Sequence, residues 1–369
     1  MLVPLITHLS IHVSKLDIMN IFKTLSSILL FASLACLNST AQEKIDCHVE
    51  EYVNTVNPHA SARKTRTGVI LTGSVDTVRA FNGFGTTKAN AIAYAECANL
   101  YKRTFEDTVN IYLTAIPTAV AFYCPDAAKD WTKSQADALN IMFEALEPGV
   151  VPVDMYTILG QHAHEPIYSR TDHHWAPLGG YYAAKAFAEA AYVPFMDLSH
   201  YEEVVIPNYV GTMHMYSKDA SVKKSPEDFV YYKPQGIDYT TTYITFSLDK
   251  SRKNIVKESA PHQGDFFLNF KGVNSYCTFM GGDSKIVQVR TATDNGRRLI
   301  IIKDSFGNAL PGYLFYSFEE IHVLDYRYFN RNLKDYVSEH GITDILLANN
   351  ISFACNPKAV NAYKRFLEQ

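Results

Sequence analysis

Five short apolar runs constrain this chain most: Val109–Ile116 (VNIYLTAI), Val150–Met155 (VVPVDM), Arg298–Lys303 (RLIIIK), Glu320–Tyr326 (EIHVLDY) and Thr343–Ala348 (TDILLA). Each is too short for a buried helix and rich in β-branched residues. Short continuous apolar runs of this kind read as strands buried on both faces, the environment of a parallel sheet. Segments with helical spacing accompany them: Lys88–Asp107, Asp130–Leu146, Pro177–Ala191, a helix within Phe306–Phe318, Leu333–His340 and Pro357–Glu368. The alternation predicts a three-layer α/β/α domain. A hydrophobic content of 47% is enough to fill its core. Gly68–Gly73 (GVILTG) reads as a further short strand.

The rhythm stops near Ser199. From His200 to Asn295 the chain is rich in Tyr, Thr, Ser and Lys, with turns at Gly281-Gly282 and Asp294-Asn295-Gly296. This reads as a mostly β or irregular insertion, 200–295. It divides the α/β domain into a first half, 43–199, and a second half, 296–369.

The start of the chain is of another kind. From Met19 it carries Lys23, an apolar run Leu25–Leu37 and the small residues Ser39, Thr40 and Ala41. That is the layout of a secretory signal peptide, 1–41, cleaved after Ala41, with the residues before Met19 as an upstream extension. The run falls short of the about 20 apolar residues of a membrane span. An uncleaved anchor helix and lipid attachment at Cys36 are the other readings. Export to the periplasm, cell envelope or exterior is the expectation, and it permits disulfides. Five of the six cysteines follow the cleavage point. Cys97 with Cys124 is a conceivable pair, and buried free thiols are the default. A net charge of -4 with scattered Lys and Arg gives no basic stripe for nucleic acid.

In the second half, the strand IIIK runs directly into Asp304-Ser305-Phe306-Gly307. A turn after a parallel strand exposes a hydroxyl at the sheet's C-terminal edge, where backbone N–H groups can meet an oxyanion. A simple helix N-cap would also account for Ser305. In the first half, Asp172 and His174 stand two apart in a segment without helical signals. Extended backbone would turn both to one side and His173 to the other. A carboxylate that fixes a histidine, and a histidine that takes a serine proton, are the minimum for acyl transfer through serine. A solvated loop is the plainer reading. A zinc site drawn from His162, His164, Asp172, His173, His174, His200 and His214 is another, but it has no helical His-x-x-x-His spacing and no Cys. No metal or cofactor is called for.

Together the two segments resemble a known superfamily. Lys303-Asp304-Ser305-Phe306 resembles the Gly-Asp-Ser-Leu block of the SGNH hydrolases. Asp172-His173-His174, with Pro177 and Gly180-Tyr181 before an Ala-rich helix, resembles their terminal Asp-x-x-His-Pro block. Thr343–Asn350 looks like their strand that ends in an oxyanion Asn. The order is rotated: the last three strands here match the superfamily's first three, so the resemblance implies a circularly permuted, flavodoxin-like sheet. Thr171-Asp-His-His-Trp175 is similar to the motif of the bacterial DHHW proteins, relatives of the periplasmic alginate O-acetylation proteins. The likeness spans most of 68–195 and 297–352, and the insertion has no counterpart.

The resemblance implies an exported serine O-acetyltransferase or acetylesterase with Ser305 as nucleophile, His174 as base and Asp172 as orienting acid. Its substrate would be a cell-envelope or extracellular polysaccharide, alongside a membrane partner that delivers acetyl. Asn350, in preference to Asn349, would meet the oxyanion together with the Ser305 N–H. The oxyanion glycine is not recognisable and is sought at Arg327–Asn330 or Gly281-Gly282, with Arg327 and Tyr328 as substrate candidates. Trp175, beside the base, would offer a ring to a sugar, or be a core Trp that anchors the loop. Two departures stand out: the Asp-to-His gap is two residues rather than the usual three, and Lys303 replaces a glycine. A non-catalytic carbohydrate-binding or scaffold protein with this fold shares all these features but has no need of Ser305 or His174.

Overall fold

The computed structural model describes residues 43–74, 76–250 and 254–368. The signal-peptide reading of 1–41, Cys36 included, lies outside the described residues. The first three strands, β1 (Ala62–Lys64), β2 (Ile70–Thr72) and β3 (Arg79–Phe81), form a small antiparallel sheet. The Gly68–Gly73 run is thus a strand, but outside the parallel sheet.

Helix α1 (Lys88–Phe105) opens the α/β rhythm, its first turn capped by Thr87, and leads into β4 (Asn110–Ile116). Helix α2 (Gln135–Glu144) begins later than Asp130 because the Ser134 hydroxyl takes the capping position, accepting from the Asp137 N–H. Strand β5 (Val150–Pro152) is shorter than the apolar run suggests. Asp154 ends it by capping α3 (Met155–Gln161), a helix hidden in the sequence by its lack of period. Helix α4 (Pro177–Ala190) follows, with proline in its first turn.

The middle of the chain combines strands with irregular segments and short helical turns. It forms a hairpin of β6 (Tyr201–Tyr209) and β7 (Glu227–Pro234). Strands β8 (Tyr239–Leu248), β9 (Ile255–Glu258), β10 (His262–Gln263) and β11 (Lys285–Thr291) come next. The last part supplies β12 (Arg298–Lys303), β13 (Glu320–Asp325), α5 (Leu333–His340), β14 (Asp344–Asn350) and α6 (Pro357–Glu368).

The main sheet runs β10-β8-β11-β13-β12-β14-β4-β5, with β9 paired to β8. Strands β13, β12, β14, β4 and β5 are parallel neighbours. Counted from β12 as the first, they stand in the order 2-1-3-4-5 of the flavodoxin-like sheet. The chain therefore enters that sheet at its fourth strand. Strand β11 pairs antiparallel with β13, and β8 with β11, so the insertion extends the sheet past β13. Helices α1, α2, α5 and α6 pack on one another as one layer, and α3 packs on α4 in the other.

One sequence expectation is corrected, and the default reading of the cysteines is the one the structure has. Phe306–Phe318 holds no α-helix: Ser305–Ala309 and Pro311–Tyr313 form single 3-10 turns. Pro311 lacks an N–H, and Gly307 and Gly312 weaken helix propagation. Cys97 and Cys124 are both free and buried. The Cys97 Sγ faces the Val360 carbonyl of α6, and burial pushes its thiol up to about 12. Among the described residues, no helix is long and apolar enough to cross a membrane.

Candidate active site

Strand order changes direction between β12 and β14, and open α/β sheets bind ligands at the C-terminal ends of strands flanking such a point. The fully buried Asp304 ties these two ends together. Its Oδ1 accepts from the Phe306 N–H at 2.9 Å, and its Oδ2 from the Asn350 N–H at 2.8 Å and Asn349 Nδ2 at 3.2 Å. Burial pushes its carboxyl above the usual range against these bonds. Ser305 stands one residue beyond, at the start of its 3-10 turn.

The segment that meets it is pinned on both sides. Thr171 donates from its N–H and Oγ1 to Glu227 of β7 at 2.8 and 2.7 Å, and the Arg170 carbonyl accepts from the Ala80 N–H of β3 at 2.8 Å. This loop carries His174 to Ser305, Nε2 to Oγ 2.9 Å. Asp172 Oδ1 accepts from the His174 Nδ1 at 2.6 Å and from its backbone N–H at 2.9 Å. Asp172 Oδ2 accepts from the Thr212 N–H at 2.7 Å and Oγ1 at 2.9 Å. Burial opposes the charge of Asp172, but His174, His173 and the Thr212 N–H hold it well below the usual carboxylate range. An ionised Asp172 places the His174 hydrogen on Nδ1 and leaves Nε2 to accept from the serine hydroxyl. Gly211 is required beside this pair, because a Cβ there would lie 2.4 Å from Asp172.

His173 does not face away. Residues 171–174 are bent rather than extended, so side chains do not alternate, and the His173 ring lies 3.7 Å from that of His174. On its other side His174 stacks on Tyr276 at 3.9 Å with planes 7° apart. The base is therefore clamped between two rings, which fixes its aim at Ser305.

Trp175 takes the core reading rather than the sugar one: it is 0% exposed and offers no face to a sugar. Its Nε1 donates to Tyr276 Oη at 3.1 Å, and Tyr276 donates to the Phe306 carbonyl at 2.7 Å. It braces the ring behind the base, because an indole between two packed layers gains more from burial than from water. Tyr276, Thr212 and Gly211 all come from the insertion, and none carries a sequence signal.

Asn350 and Asn349 have parted. Asn349 is buried away from the cavity, its Oδ1 held by Tyr94 and Tyr363. Asn350 lines the cavity. Its Oδ1 accepts from the Ser352 and Phe353 N–H groups, and its Nδ2 donates one hydrogen toward Asp304 Oδ2 at 3.4 Å, leaving the second as a donor. In the loop after β13, the N–H groups of Arg327, Tyr328 and Phe329 are all spent on Asp325. Tyr328 is partly buried against the core rather than in the cavity wall. Gly282 and Arg327 do line the cavity.

Lys303, in the place of the expected glycine, is buried and bonded to Asp325 at 3.1 Å and to Asp283 of the insertion at 3.2 Å. Gly307 makes room for it, since a Cβ there would lie 2.5 Å from the lysine's own. Arg327 grips Asp325 through two nitrogens, at 2.8 and 2.7 Å, and Asp283 at 2.9 Å. This four-charge cluster fastens the insertion to the sheet edge beside Ser305. Removing one member of a buried ion set strands the others. Lys303→Met is therefore expected to cost about 3 kcal/mol in urea unfolding, the low end for such a change because Arg327 remains.

The cavity over Ser305 has a volume of about 510 Å³. Among the described residues, Asp172, His173 and His174 form a group close enough to share an ion, but Asp172 has both oxygens committed to hydrogen bonds. The other histidines of the zinc reading are engaged apart: His162 with Glu165, His164 with Thr55, His200 with Asp197 and His214 with the Gly211 carbonyl.

The family model described as DHHW protein matches residues 36–324. The crystal structure of a DHHW family protein from Eubacterium siraeum is 37% identical with a TM-score of 0.74, covering 84% of this chain and 98% of that one. Bacillus cereus PatB1, solved with a sulfonyl adduct, has a TM-score of 0.60 at 17% identity over 79% of this chain and 97% of its own, a likeness of fold. No curated protein matches the chain.

Proposed function

This chain belongs to the DHHW protein family with a circularly permuted SGNH-like fold, and from that premise we propose that it is an exported serine acyl-transfer enzyme. It is an O-acetyltransferase or acetylesterase of cell-envelope or extracellular polysaccharide. The observation that carries the reading is the unbroken line Asp172–His174–Ser305, with steps of 2.6 and 2.9 Å. Both lie within the hydrogen-bond reach that proton transfer needs.

His174 Nε2 takes the Ser305 proton as Oγ attacks the acetyl carbonyl, and returns it to the leaving oxygen. Asp172 holds the imidazole and stabilises its charged form. The Ser305 N–H and Asn350 Nδ2 are the donors for the developing oxyanion. A second hydroxyl, from a sugar or from water, then takes the acetyl group by the same steps in reverse. A membrane partner would supply the acetyl donor.

A sulfonyl fluoride probe, suggested by the adduct that PatB1 carries, tests this reading directly. Peptide mass mapping is expected to find the adduct on Ser305. Protein that stays unlabelled under conditions that label a serine esterase would rule the reading out.

A further inference from the structure

The two neighbouring imidazoles of the site share one carboxylate. His174 Nδ1 lies 2.6 Å and His173 Nδ1 3.6 Å from Asp172 Oδ1. Their ring centroids are 3.7 Å apart, with planes inclined by 39°. Rings stacked so closely, with their Nδ1 edges toward one oxygen, turn their Nε2 edges in a common direction. His174 Nε2 meets Ser305 Oγ there, and both histidines line the cavity.

The hydrogens of His173 follow from its partners. Thr212 Oγ1 has one hydrogen, and it points to Asp172 Oδ2 at 2.9 Å, since an ionised carboxylate only accepts. The 2.6 Å contact between Thr212 Oγ1 and His173 Nδ1 is therefore donated by the imidazole. His173 thus carries its hydrogen on Nδ1 and a lone pair on Nε2. Burial first, and then His174, lower its pKa to about 3 against the pull of Asp172 and Asp283, so it stays neutral. The hydrogen bonds among the described residues engage its Nδ1 and not its Nε2, and the residue lines the cavity.

We propose that His173 Nε2 receives a second hydroxyl of the acyl acceptor, so that the site selects vicinal diols. The proposal rests on the acyl-transfer reading and narrows its acceptor to adjacent hydroxyl pairs, as on a sugar ring. One hydroxyl lies on His174 Nε2, and its neighbour donates to His173 Nε2. In the transfer step the first oxygen attacks the acyl carbon of acyl-Ser305 while its proton passes to His174 Nε2. The carbon–Oγ bond then breaks, and His174 returns that proton to Oγ, releasing the new ester and free serine. His173 neither gains nor loses a proton.

The test uses p-nitrophenyl acetate as donor with a vicinal cyclohexanediol or cyclohexanol as acceptor. Wild-type protein is expected to favour the diol in kcat/KM by roughly tenfold per hydroxyl, the worth of one neutral hydrogen bond. His173→Asn keeps an N–H near the Nδ1 position for Thr212 but has no acceptor at Nε2. Its ratio of the two kcat/KM values, an internal measure independent of how much enzyme is active, is expected to fall to about one. Equal use of both alcohols by wild-type protein, or a diol preference that survives His173→Asn, overturns the proposal. A wild-type protein that releases no nitrophenol above the uncatalysed rate instead overturns the acyl-transfer reading, and the diol site with it.

Discussion

Ser305→Ala is expected to lower kcat for acetyl-ester turnover by a factor on the order of 10⁶, leaving only what the oxyanion donors and binding supply. The size follows from the site's construction. Ser305 Oγ is the atom that His174 Nε2 reaches, at 2.9 Å, and His174 is held in that pose by Asp172, Tyr276 and His173. The neighbouring Thr212 Oγ1 does not inherit this placement, because it is turned toward Asp172 and His173. Stability should hardly change, since among the described residues the serine hydroxyl bonds the base alone. Stopped-flow release of nitrophenol, alongside urea unfolding, separates the two effects. A variant that still shows an acetylation burst would remove Ser305 from the mechanism.

Asp172→Asn is the second large effect, expected at about 10⁴-fold in kcat. Both oxygens of Asp172 accept, Oδ1 from His174 and Oδ2 from Thr212. An amide replaces one acceptor with a donor. With the nitrogen toward His174, the imidazole hydrogen must move to Nε2, where it blocks the serine proton. With the nitrogen toward Thr212, two N–H groups oppose each other.

The substitution also has a pH signature. A carboxyl held below its unfolded value, about 3.9, stabilises the fold fully above that value and loses this contribution as pH falls through the folded pKa. Asp172 is such a group. The stability gap between wild type and Asp172→Asn should therefore be widest near neutral pH and narrow below about pH 4. Urea unfolding across that range measures it.

The parallel strands were legible because burial on both faces leaves unbroken apolar runs, as β12 and β14 show. Ser305, His174 and Asp172 were legible because each sits where a strand or loop signal constrains the backbone. The wall of the site was not. Tyr276, Thr212 and Asp283 come from residues whose contacts are all distant in sequence, and no local period marks them. Trp175 kept two readings open because exposure is a tertiary property: an indole beside a base reads alike whether it faces a sugar or a phenol. Asn349 and Asn350 differ only in which side of β14 they leave, a matter settled by Tyr94, Tyr363 and Asp304.

The entry of the chain into its sheet at the fourth strand has a consequence for how the protein comes into being. Strand β4 leaves a ribosome well before its inner neighbour β14; Asn110 and Asp344, bonded across them, are 234 positions apart. Such remote pairing slows folding, because a large loop must close before any contact rewards it. A nascent chain consequently holds His174 and Ser305 apart until both halves of the sheet have emerged and paired. The candidate site is the last thing the sheet assembles, not the first.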